Sequence, residues 1–240
     1  MYAYLVYYIL GFVMIPGIIL GIYAQTKVHS TFEKYGSVQS SRGRVAKDVA
    51  RIMLDGGNCR ETQIKEINGQ LTDNYNPKTN TVSLSQSVAN KSSISAIGVA
   101  AHEVGHVFQH KQKYAPLKIR NALVPVLNYS SILMWPLIIF GLIFEIAFYS
   151  TWSTVLIYIG IGIYAINILF CLITLPVELN ASKRAYDMLI STNEMDVEEA
   201  KMAKKVLNAA ALTYVAALIT SVLSLIRVLL FVFAMRGDRR

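Results

Sequence analysis

Four stretches of this chain carry no charged side chain: Met1–Thr26, Ala122–Phe144, Ile146–Val177 and Val206–Ile226. Each reaches or exceeds the ~20 residues that a helix needs to cross ~30 Å of hydrocarbon. The composition agrees, since 54% of residues are hydrophobic and only 16% charged, whereas an ordinary soluble domain carries about 25% charged residues. Four transmembrane helices are therefore expected. Outside lipid there remain about 90 residues between Lys27 and Arg120 and about 30 between Glu178 and Lys205, enough for one small water-facing domain. The expected fold is a mainly α membrane protein with a small α+β domain on one membrane face. Along the chain this gives an anchor (1–26), a polar segment (27–120), a hairpin (121–177), a second polar segment (178–205) and a last apolar element with a basic tail (206–240).

The net charge of +8 does not point to nucleic acid. Its basic residues gather at the ends of the apolar runs: Lys27 and Lys34, Lys111 to Arg120, Lys183 and Arg184, Lys201 to Lys205. That placement is the signature of membrane topology. The first run lacks a basic leader and an A-x-A-like cleavage site, so it reads as a retained anchor, with Tyr2, Tyr4, Tyr7 and Tyr8 in an interfacial belt. The turn around Glu145–Thr154 contains no Lys or Arg, which puts that turn outside and both polar segments in the cytoplasm. Arg236, Arg239 and Arg240 conflict with this, because four full crossings would leave them outside. Arg227 interrupts the last run, so that element either crosses with Arg227 snorkelling or bends back. Cys59 and Cys171 form neither a metal pair nor a disulfide pattern, which favours a reducing compartment. The lipid bilayer is the first expected partner; assembly with itself or with other membrane proteins is left open.

Within the first polar segment, Val45, Val49, Ile52 and Met53 recur at helical spacing, predicting an amphipathic helix over Gly43–Leu54. A β-like run at Thr62–Ile67, a turn-rich Asp73-Asn74-Tyr75-Asn76-Pro77 and the alternating Thr81-Val82-Ser83-Leu84-Ser85 predict two strands of a small sheet. A second helical pattern begins near Ser95 and carries His102-Glu103-Val104-Gly105-His106.

On a helix, residues four apart lie one turn apart on one face, so His102 and His106 can offer imidazole nitrogens to a single Zn²⁺. Glu103, beside the first of them, is placed to act as general base towards a water at that metal. The bland alternative, two structural histidines at a membrane surface, explains neither the spacing nor the adjacent carboxylate. A hydrolytic zinc needs a third protein ligand and an open fourth position. The elongated H-E-x-x-H-x-x-G-x-x-H pattern is excluded by Gln109 and Gln112. His110 sits a further turn on, but one helix does not wrap three successive turns around an ion, so a surface or hydrogen-bonding role suits it better. Glu178, at the end of the long apolar run in Leu175-Pro176-Val177-Glu178, is the leading third ligand, with a plain boundary carboxylate as its alternative. Ser182, one turn later, can hydrogen-bond an imidazole and fix its tautomer. Glu194, Glu198 and Glu199 fall in a charged segment that reads as a solvated helix.

Taken together, Leu71-Thr72-Asp73-Asn74-Tyr75-Asn76-Pro77, Thr81–Ser85, Ala100-Ala101-His102-Glu103-Val104-Gly105-His106-Val107-Phe108-Gln109 and Leu175-Pro176-Val177-Glu178-Leu179-Asn180-Ala181-Ser182-Lys183-Arg184-Ala185 resemble the YugP-like neutral zinc metallopeptidases of bacterial membranes. The resemblance spans nearly the whole chain. It implies a gluzincin-type site with one zinc on His102, His106 and Glu178, a catalytic Glu103, a multi-pass protein of the bacterial cell membrane, and a layout akin to integral-membrane zincins of the heat-shock-protease type. Two positions depart from the pattern: a histidine is common where Asn74 stands and an aspartate where Asn180 stands. The resemblance further implies that an extended peptide lies along an exposed strand above the active-site helix. Thr81, Val82, Ser83, Leu84 and Ser85 are the expected edge, recognising mainly peptide backbone. Tyr75, Tyr114 and Arg184 are candidates to stabilise the oxyanion, each with a packing or interfacial role as its alternative.

Three function classes follow. The first is a membrane zinc endopeptidase acting on membrane or membrane-near proteins or peptides. The second is a catalytically silent zinc-holding scaffold, which the intact Glu103 opposes. The third, a transporter or channel, calls for ionisable groups inside the spans, whereas Glu145 and Arg227 lie at span ends.

Overall fold

The structure, a computed structural model, describes residues 11–148 and 151–237. A 3-10 turn at Phe12–Met14 leads into helices α1 (Ile15–Gly36) and α2 (Ala46–Gly56), strands β1 (Gln63–Ile67), β2 (Asn74–Asn76) and β3 (Thr81–Ser85), and helices α3 (Ile94–Lys111), α4 (Ala115–Phe148), α5 (Thr151–Ser191) and α6 (Val197–Gly237). The chain is mainly helical with one small sheet. The expected tyrosine belt (Tyr2, Tyr4, Tyr7 and Tyr8), the turn residues Tyr149 and Ser150, and the tail beyond Gly237 lie outside the described residues.

Among the described residues, three helices are long and apolar enough to cross a membrane: Phe12–Gly36, Val155–Ser191 and Val197–Ala234. The remaining expected run, Ala122–Phe144, is helical within α4, several of whose side chains lie outside the described residues. The last apolar element does not bend back, for α6 continues unbroken past Arg227.

The chain forms two compact units, one made of Met1–Tyr23, Ile119–Thr174 and Tyr214–Arg240, the other of Ala24–Lys118 and Leu175–Thr213. In the first, large apolar side chains such as Ile19, Ile132, Leu133 and Phe140 face outward, an arrangement suited to hydrocarbon and costly in water. Here α1 meets α6 closely at Gly17, where an added Cβ would lie 3.0 Å from Thr220 Oγ1.

The second unit holds the sheet. Its order is β1-β3-β2, with β1 parallel to β3 (Gln63 opposite Thr81, Ile67 opposite Ser85) and β2 antiparallel to it (Asn74 opposite Ser83, Asn76 opposite Thr81). Two sequence expectations are thereby corrected. Thr81, Val82, Ser83, Leu84 and Ser85 are not an edge, because β3 is the central strand and pairs on both sides. The turn-rich Asp73–Pro77 contains a strand, since the chain reverses one step later: Asn76 Oδ1 accepts from Lys78 N at 2.9 Å, and Asn80 takes the left-handed φ of 49° that asparagine tolerates in turns.

Helix α2 starts at Ala46 and not at Gly43, whose φ of 65° belongs to a turn. It buries Val49, Ala50, Met53 and Leu54 in a core shared with α3, β3 and the polar end of α5. Ser93 caps α3, its side chain accepting from Ala96 N at 3.4 Å. From Ile94 to Gln109, only Val99 and His102 escape burial.

Candidate metal centre

Helix α3 carries His102 and His106 on one stripe, and α5 brings Glu178 to them. One ligand atom from each lies within 4.8 Å of the others. Glu178 Oε2 is 3.1 Å from His102 Nε2 and 3.5 Å from His106 Nε2. The helices can approach this closely because position 105 has no side chain: a Cβ on Gly105 would stand 2.5 Å from the backbone oxygen of Ala181 on α5.

The far nitrogens of both rings are tied down. Ser182 Oγ lies 3.1 Å from His102 Nδ1. Gln109 Oε1 lies 2.9 Å from His106 Nδ1, while Gln109 Nε2 donates to Val177 O at 2.8 Å and to Asn180 Oδ1 at 3.0 Å. With the amide nitrogen committed to two acceptors, the amide oxygen faces His106, so His106 carries its proton on Nδ1 and points the Nε2 lone pair into the site. Gln109 is fully buried. Sequence reasoning used it only to exclude another zinc pattern; its position three residues after His106, on a helix that faces Glu178, was the available signal.

Glu103 is buried next to the trio. Burial pushes its carboxyl above the usual carboxylate range, the two imidazoles pull it back, and Glu178 and Asp73 push it up further. Asp73 is itself raised by burial, while hydrogen bonds from Ser85 oppose the shift; its Oδ1 accepts from Ser85 N at 2.7 Å.

The other candidates have separate partners. His110 Nδ1 meets the Tyr75 hydroxyl at 3.0 Å, and that hydroxyl also lies 3.1 Å from Asn80 Oδ1. Burial pushes Tyr75 up to about 12, so it keeps its single proton, which goes to Asn80 Oδ1 while His110 donates from Nδ1. Arg184 donates from Nε to Asn180 Oδ1 at 2.7 Å and from Nη1 to Gln112 Oε1 at 2.6 Å, with its guanidinium 5.9 Å from the Tyr114 ring. Glu194 pairs with Arg44, Glu198 with Lys201 at 2.7 Å, and Glu199 accepts from Ser41 N at 2.6 Å.

The donor set fits zinc. Two imidazole nitrogens and one carboxylate oxygen are the ligands of a catalytic site that keeps its fourth position open. Ligand atoms at ~2.0–2.1 Å from a tetrahedral ion sit about 3.3 Å apart, and the 3.1 and 3.5 Å separations bracket that spacing. Residues 10–233 match a family described as "Putative neutral zinc metallopeptidase". The chain belongs to this family. It is also similar to "Putative membrane protease YugP" of Bacillus subtilis (strain 168), 41% identical over 216 residues, which cover 90% of this chain and 93% of that protein. No solved structure matches the chain. Membership in this metallopeptidase family implies zinc as the metal, and the apolar helices accord with the membrane location of the relative.

Proposed function

We propose that this chain is an integral-membrane zinc endopeptidase that cuts membrane or membrane-near proteins, with one zinc held by His102, His106 and Glu178. The observation that carries this reading is the convergence of three ligand atoms beside a buried Glu103. Zinc bound there supplies Lewis acidity, polarising a scissile carbonyl and acidifying a water. Glu103 takes the proton of the attacking water as its oxygen adds to the carbonyl carbon. The same carboxyl then gives that proton to the amine nitrogen as the C–N bond breaks. Gln109 and Ser182 keep both imidazoles facing inward throughout. Because β3 is enclosed by its neighbours, the sheet offers its edges at β1 and β2, and β2, joined to α3 through Tyr75 and His110, is the edge assigned to a substrate. Four crossings, with both polar segments in the cytoplasm, complete the proposal.

The test is metal analysis and proteolysis of an unfolded substrate by the purified chain and its Glu103→Gln variant. Equal zinc content and a roughly 10²–10⁴-fold loss of hydrolysis are expected. Equal activity of both proteins, free of contaminating protease, would overturn the mechanism; no activity in either would favour the scaffold. Glu178→Ala should strip zinc strongly, and full occupancy in that variant would remove Glu178 from the ligand set.

A further inference from the structure

Away from the metal centre, the second unit contains a cavity of about 470 Å³ whose walls include Gln39, Gln70, Ser87, Lys91, Ser93 and Ser95. Eight of its ten lining residues are polar, none is acidic, and Lys91 is the single charged one. The Lys91 ammonium makes no ion pair among the described residues. Glu66, held by Asn90 Nδ2 at 2.9 Å, is the carboxylate that touches this lining without belonging to it. Ser95 and Ser93 bring buried hydroxyls.

Position along α3 connects the cavity to the metal centre. Ser95, Val99, His102 and His106 follow one another at steps of four, three and four residues, which is one stripe of a helix. On this stripe lie both residues of Ile94–Gln109 that are not buried, Val99 and His102. The stripe therefore runs from the cavity wall at the buried Ser95, past the half-buried Val99, to the two histidines. Seven residues separate Ser95 from His102, about 10 Å of helix, and about three residues of extended peptide cover the same distance.

We propose that this cavity is a substrate subsite for a carboxylate, from an acidic side chain or a free C-terminus, carried about three residues from the peptide bond that is cut. The proposal rests on the peptidase reading and names what that site selects.

Peptide hydroxamates test it with the full-length, zinc-loaded chain in detergent, because the hydroxamate anchors on the metal and fixes the register. Series with the hydroxamate at either end carry a single Glu, or a Gln in its place, one to five residues away; a parallel set places a free or amidated C-terminus there. Affinity should peak with the carboxylate at the third residue, roughly two- to fivefold above its neutral counterpart, as for an ion pair at an exposed site. Lys91→Gln should close that gap and Lys91→Glu should reverse it. Lys91 is exposed, and its backbone contacts do not depend on the side chain, so both variants should fold. Hydroxamates that bind through zinc but show no gap, or a gap indifferent to Lys91, overturn the subsite alone. Hydroxamates whose binding ignores zinc sink the peptidase reading, and the subsite with it. If Lys91→Gln instead abolishes binding of short-chain phosphatidylglycerol and leaves the peptide gap intact, the cavity takes a lipid headgroup and the proposal fails.

Discussion

A single amide decides how the second histidine faces the proposed metal site. Gln109 makes three hydrogen bonds from full burial, to His106, to Val177 O and to Asn180, so it holds a ligand from α3 and the backbone beside the ligand from α5. Replacing it with Leu should keep the helical fold while weakening zinc binding by about 10–100-fold, the usual scale for losing a group that orients a metal-binding imidazole. Competition against a chelator of known affinity measures this, and unchanged zinc affinity would reduce Gln109 to packing. Only the spacing of Gln109 three residues after His106 was legible in the sequence, because its other partners, Val177 and Asn180, lie some 70 positions away. His102, Glu103 and His106 were legible because their arrangement is local. Asp73 supports a prediction about pH. Its folded carboxyl keeps its proton to higher pH than the unfolded chain would, so folding takes up a proton just above the usual carboxylate range and stability falls as pH rises through that window. In Asp73→Asn, urea or thermal unfolding should show a flatter pH dependence there, and an unchanged slope would show that Asp73 carries no such penalty.

Two glycines on one helix allow the closeness of the elements to be tested with a built-in control. A Cβ at Gly105 would press to 2.5 Å on the backbone oxygen of Ala181, whereas one at Gly98 would meet the Cβ of Ala203 at 3.1 Å. Backbone cannot yield as a side chain can, so Gly105→Ala should cost about 1–3 kcal/mol of stability and should also lower zinc affinity by spreading α3 from α5. Gly98→Ala should be the milder of the two and leave zinc affinity nearly intact. Thermal melts and zinc titration of both variants check this, and equal behaviour would contradict the packing described. The same scale shows where pattern reading stops. The helices α2 and α3 and the strands β1 and β3 could be read from periodicity, which is set by neighbouring residues. The strand β2 and the central place of β3 could not, because Asn74-Tyr75-Asn76 has turn composition and becomes a strand only by pairing with Thr81–Ser83 across the hairpin.

For the molecule as a whole, three helices with the length and apolarity of membrane spans predict that the protein stays with the membrane pellet after an alkaline wash and needs detergent to leave it; release by the wash would refute the assignment. The proposed orientation predicts that a single cysteine at position 150 reacts with an impermeant reagent on intact cells and one at position 92 does not. The opposite pattern would invert the topology. The placement of the third ligand also sets a schedule for biosynthesis. Glu178 follows His102 by 76 positions, with the whole of α4 and the apolar part of α5 in between. At about 5–20 residues per second, a ribosome needs at least several seconds after making the two histidines before the carboxylate that completes the trio exists. Until then the nascent chain lacks the proposed ligand set, so on the proposed function a chain that stalls inside the hairpin has no means to hydrolyse a peptide, and activity is withheld until most of the protein has been made.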